Sequence, residues 1–131
     1  MSGRSARDLL AIRPDLVAPL QDLLGTLRAG PVEPALLDNC EALIRHRIGV
    51  GEGGAVPDVG APDLEPRTRA VLVLAEQFVV DPHGIDDRMR DEVLDHCSLA
   101  ELATVMQACA VFDALARMEA VLTKTVEQGG R

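Results

Sequence analysis

The chain contains no Trp and no Tyr, and Phe78 and Phe112 are its only aromatic residues. A core built on large rings is therefore excluded. It also lacks any C-x-x-C pair. Its three cysteines, Cys40, Cys97 and Cys109, are odd in number and widely spaced, which argues against a disulfide framework and for a reducing, cytoplasmic setting. Positive charge is scarce, with 13 Lys and Arg against 21 Asp and Glu, a formal net charge of −8 and a pI of about 4.7. A phosphate backbone would be repelled, and the scattered basic residues form no patch for an anionic membrane. No unbroken apolar run approaches the ~20 residues of a membrane span. The start, Met1-Ser-Gly-Arg-Ser-Ala-Arg-Asp8, followed by a short apolar pair and Arg13-Pro14, does not read as a secretory signal. Neither nucleic acid nor membrane is expected as a partner.

What is present is aliphatic. Hydrophobic residues make up 47% of 131 residues. That length fits a single domain, 1–131, able to bury roughly two-thirds of the unfolded chain's surface. Each buried Leu or Val contributes about 1.5–3 kcal/mol. A helical chain of this composition gains by burying further surface against copies of itself, so a homo-oligomer is expected.

The apolar period is helical almost throughout, and no strand or internal repeat is evident. Leu16, Val17, Leu20, Leu23, Leu24 and Leu27 mark a first helix that Gly30-Pro31 ends, with Pro19 predicting a later start or a kink. A second helix begins near Pro34 with a stripe of Leu36, Leu37, Cys40, Leu43, Ile44 and Ile48. Residues 49–62 hold five glycines and two prolines without a period and read as a loop. A third helix spans about Pro66 to Val80, with Val71, Leu74, Ala75 and Phe78 inward. Asp81-Pro-His-Gly84 is a turn, and Asp86 or Asp87 caps a short helix carrying Met89, Val93 and Leu94. Ser98 and Glu101 form a capping box at the head of a long apolar helix that runs to roughly Val126, leaving 127–131 as a frayed tail. The fold class is all-α, a bundle of five or six helices.

Four stretches in this order resemble the carboxymuconolactone decarboxylase and alkylhydroperoxidase D-like (AhpD-like) superfamily. They are Arg13-Pro14 through Leu27, Leu36 through Arg47, Arg67 through Phe78, and Ser98 through Met118. The resemblance covers about 100 residues. It implies a trimer, or a hexamer made from trimers. The redox members carry C-x-x-C-x-x-x-H after the second helix, with a Glu twelve residues before the first Cys. Glu41 occupies the Glu position, whereas Gly53 and Val56 fall where the two cysteines would be and Gly60 where the His would be. The decarboxylases of the family use a His in a further helix, which the short segment before the next matching stretch leaves no room for. Thiol peroxide reduction needs a thiolate and a resolving thiol. Cys40 and Cys109 lie on apolar faces, where cysteine behaves as a small inert hydrophobe.

The remaining candidates surround Glu41. A half-buried carboxyl at the edge of the second helix's stripe suits a general acid or base, with an i, i+4 pair to Arg45 as the structural alternative. Arg47 falls in the middle of that stripe on a helical wheel. A buried cation needs a partner. Glu33, Glu76 or Asp113 would make it a structural pair, and a carboxylate ligand would make it an anion clamp. His46, nearly opposite Cys40, is solvated unless a subunit contact brings it to a site. His83 with Asp81, Asp86 and Asp87 reads as turn and cap chemistry rather than a metal site, and Asp113 with Arg117 as an i, i+4 pair. Cys97, following His96 at a helix N-terminus, is the one thiol placed for activation. The run Gly49 to Gly54 follows a helix and lacks Lys-Ser/Thr, so it is no phosphate cradle. No cofactor and no metal are expected. Three functions follow: a non-redox small-molecule-binding or assembly protein, a cofactor-free acid–base enzyme (decarboxylase, lactone-acting or isomerase) using Glu41 with Arg47 and His46, and a residual peroxidase using Cys97.

Overall fold

The computed structural model of the chain describes Asp15 and residues 17–51 and 55–129, with residue 17 and residues 125–129 as helical backbone. Among the described residues there are five α-helices and no strand: α1 (Val17–Arg28), α2 (Pro34–Ile48), α3 (Pro66–Val80), α4 (Asp87–Leu94) and α5 (Leu99–Gly129). The all-helical expectation holds.

The helix boundaries follow from local chemistry. Pro34 and Pro66 open α2 and α3 at the first position, where the missing N–H would have had no intrahelical partner. Pro19 is likewise within the first turn of α1, so the helix starts ahead of it without needing a kink. Gly49 closes α2 in the left-handed conformation (φ 88°), its N–H donating to the carbonyls of Arg45 and His46. Asp81 accepts from the His83 N–H at 3.0 Å in a 3-10 turn, Pro82–Gly84. Asp86 caps α4 by accepting from the Met89 N–H at 2.9 Å. The capping box of α5 is reciprocal: Ser98 N–H donates to Glu101 Oε1 at 2.9 Å, and Glu101 N–H donates to Ser98 Oγ at 3.1 Å.

Ion pairs fix the direction of the three main helices. Arg67, near the start of α3, joins Glu33 just before α2 and Glu101 in the first turn of α5. At the other end, Arg45 and Arg47 of α2 pair with Glu119 of α5 and Glu76 of α3. The helices α2, α3 and α5 therefore run in the same sense. Each 15-residue helix, α2 and α3, is about 22 Å long. The chain must travel back that distance between them, which the segment Gly49 to Glu65 does. The glycine-rich loop is first of all this return crossing. The second return, from α3 to α5, contains α4, which lies against α3.

The core is aliphatic as composition requires. Leu37, Cys40 and Ile44 of α2 meet Val71, Leu72, Leu74 and Ala75 of α3 and Val105, Ala108, Cys109 and Phe112 of α5. Leu23, predicted inward on α1, is 44% exposed, while Leu24 and Leu27 hold that helix to the core. Leu16 lies outside the described residues.

At 31 residues α5 is about 46 Å long, twice the length of its partners. It continues to Gly129, three residues past its expected end. Between Leu99 and Lys124 its mean hydropathy reaches 1.5, long and apolar enough by length and composition to cross a membrane. An unbroken-run criterion passes over it because Gln107 and Asp113 interrupt the sequence. One third of that apolar window is buried inside the bundle, as the core stripe.

Candidate functional site

The inner end of α2 was the expected wall of a site, and its charged residues diverge. Glu41 is half-buried, and its carboxylate lies 3.7 Å from Arg28 Nη2 of α1 rather than on Arg45. Arg28 also bonds Asp38. Arg47 does not sit inside the stripe. It is 46% exposed and its Nη2 donates to Glu76 of α3 at 2.6 Å. Arg47 stands in the last turn of α2, where its long side chain reaches both Glu76 and water. His46 is exposed. Glu41 thus faces α1, Arg47 faces α3, and His46 faces solvent.

The charge contact with the most buried carboxylate involves Arg45. It reaches across to α5, with Nη1 2.6 Å from Glu119 Oε2 and Nη2 3.2 Å from Oε1. This two-toothed geometry is the favourable one for guanidinium and carboxylate. Glu119, 2% exposed, is the only buried charged residue among those described. Its carboxylate holds the Arg45 guanidinium above the usual arginine value. Gly51 comes close to the Arg45 guanidinium: its φ is 83°, and a Cβ there would meet Arg45 Nη2 at 2.9 Å. The pair was missed in the sequence, although Glu119 follows buried Phe112 and Ala116 at helical spacing.

Of the three positions where the family's reactive groups were sought, Gly53 lies outside the described residues. Val56 is 37% exposed, and the Gly60 N–H donates to Asp58 Oδ1 at 3.0 Å in a turn. No helix occurs in the described residues between Gly49 and Glu65.

All three thiols are free. Cys40 and Cys109 are fully buried and face each other between α2 and α5. The contact with Cys40, reinforced by burial, pushes the Cys109 thiol well up. Cys97 precedes the N-terminus of α5 and has Arg67 beside it, yet burial outweighs that cation and pushes its thiol up as well. Arg67 is engaged elsewhere, held above its usual value by Glu33 in the first place and by Glu101. The activation anticipated for Cys97 is opposed by its burial.

A groove of about 510 Å³, open to solvent, lies between α3, the 3-10 turn and α4. Its floor is apolar, with Ala70, Val73 and Met89. Several of its polar groups are committed. Arg69 Nη2 donates to the Ala61 carbonyl, Gln77 Nε2 donates to the Asp81 carbonyl at 2.8 Å, and Asp86 caps α4. Gly84 makes room for that glutamine, since a Cβ would stand 2.3 Å from Gln77 Nε2. Arg88, Glu92 and His96 also line the groove. Arg88 is the one arginine among the described residues whose side chain makes no hydrogen bond or ion pair, and the Glu92 and His96 side chains make none either. Glu41, His46 and Arg47 do not line this groove. Among the described residues no group of three His, Cys, Asp or Glu is arranged to hold a metal.

The Asp113–Arg117 pair forms as expected at 3.1 Å, and Arg117 Nη2 also donates to the Val79 carbonyl at 3.1 Å, which ties α5 to the end of α3. The chain matches no protein-family model and no curated protein.

Proposed function

We propose that this chain is an AhpD-like helical protein without a thiol-redox or acid–base centre, acting as a homo-oligomeric small-molecule-binding protein. The observation that carries this reading is the dispersal of Glu41, Arg47 and His46. A general base and its substrate anchor must converge on one reacting molecule. Here Glu41 is held by Arg28, Arg47 by Glu76, and His46 is in solvent. The α3–α4 groove, by contrast, has a volume within the ~300–1,000 Å³ of ligand pockets and combines an apolar floor with uncommitted polar groups. Self-association follows from the overhang of α5 and from large apolar side chains left outward, Val80 (66% exposed) and Leu99 (73%). The resemblance gives a trimer or hexamer. A reducing, cytoplasmic compartment suits three free thiols.

The test is a screen with small carboxylic acids, lactones and an alkyl hydroperoxide, alongside light scattering for the assembly. Saturable binding with no turnover is expected, on particles larger than a monomer. Lactone or acid turnover that disappears in Glu41→Gln would replace this reading with acid–base catalysis. Peroxide consumption that disappears in Cys97→Ser would replace it with a residual peroxidase.

A further inference from the structure

Arg88 and Glu92 both line the α3–α4 groove, and neither side chain makes a hydrogen bond or ion pair. Arg88 and Glu92 stand one turn apart on α4 and could pair with each other. They do not, and the order Arg before Glu is the less favourable one for an i, i+4 pair. Each sign weakens a ligand that carries only one charge. An anion drawn to Arg88 also feels Glu92, and a cation drawn to Glu92 also feels Arg88. A molecule carrying both charges satisfies both.

Four helical residues rise about 6 Å along α4, so the two side chains leave the same face of the helix one turn apart. Two residues of extended peptide span at most about 7 Å between their ends. Ala70, Val73 and Met89 offer apolar contact in the same groove, which His96 also lines. We propose that the α3–α4 groove takes a dipeptide-sized zwitterion with apolar side chains, its carboxylate on Arg88, its ammonium on Glu92 and its side chains against Val73 and Met89. This inference rests on the small-molecule-binding reading above.

The probe is leucyl-leucine, titrated into the full chain and followed by calorimetry and by amide chemical shifts. Binding should shift Ala70, Val73 and Met89. The N-acetylated and C-amidated forms should each bind more weakly, and the doubly blocked form should not bind. Arg88→Ala and Glu92→Gln alter exposed side chains, and circular dichroism will show that both variants fold. Each should weaken the parent dipeptide roughly tenfold or more, the loss expected for one charge-assisted contact. Arg88→Ala should leave the amidated form's affinity unchanged, because that form no longer offers Arg88 a carboxylate.

Equal binding of the doubly blocked form would overturn the proposal, as would shifts centred on Glu41 and Arg47. Simple carboxylates that bind in the groove where the dipeptide does not would reject the zwitterion and leave the binding reading standing. Absence of binding by every acid, lactone and dipeptide at any position would reject the binding reading itself.

Discussion

Arg45→Met should destabilise the protein far more than Glu119→Leu, although the two residues form one pair. The asymmetry follows from where each charge sits. The Glu119 side chain is 3% exposed and that of Arg45 is 29% exposed. Removing Arg45 strands a carboxylate in the core beneath α2. Breaking a buried pair in this way costs about 3–5 kcal/mol, and partial solvent access at Arg45 places the expected loss near the lower end, about 3 kcal/mol. That corresponds to roughly 10 °C in Tm for a chain of this size. Removing Glu119 instead leaves a guanidinium that can turn to water, at about 1 kcal/mol. Replacing both residues should bring stability back to within about 1 kcal/mol of the wild type, because a well-packed apolar pair substitutes for a buried ion pair. Urea unfolding at fixed protein concentration measures all three variants. Equal small losses for the two single variants, or a double variant as unstable as their sum, would refute the placement of Glu119 in the core.

Ser98→Ala should cost about 1 kcal/mol by urea unfolding, since it removes the acceptor for the Glu101 N–H at the head of α5. Cys97 should react with a thiol reagent more slowly than a free cysteine at pH 7, and Cys40 and Cys109 only on unfolding. The Arg67 hydrogen bond lowers the Glu33 carboxyl first of all, and the Ser98 backbone N–H lowers that of Glu101, helped by Arg67. A carboxyl lowered in the folded state stabilises the fold above its unfolded value of about 4.3, and this is lost as pH falls through the folded value. Arg67→Met should therefore flatten the fall in stability below about pH 4.5, read by acid titration of the unfolding midpoint.

Much of the fold was legible because it is written in local signals. Pro34 and Pro66 set two helix starts, Gly49 sets an end, and the Ser98–Glu101 box sets the head of α5. What stayed hidden depends on distance along the chain. Arg45 and Glu119 are 74 residues apart, and no local pattern announces that they meet. The error at Arg47 has a different origin. A wheel gives the direction of a side chain but not whether another helix covers it, and the last turn of α2 is uncovered there. Arg47 did find one of its three expected partners, Glu76. The α3–α4 groove had no sequence signal, because Arg88, Glu92 and His96 look like ordinary solvated residues until their neighbours are known.

A single NMR titration decides whether the dispersed charges of α2 carry out any chemistry. The full chain, isotopically labelled, is mixed with the panel of carboxylic acids and lactones, and both protein and ligand resonances are followed over time. Shifts at Ala70, Val73 and Met89 are expected, with ligand signals that never change into product signals. Product signals that build up with the wild type and are absent with Glu41→Gln would contradict that expectation.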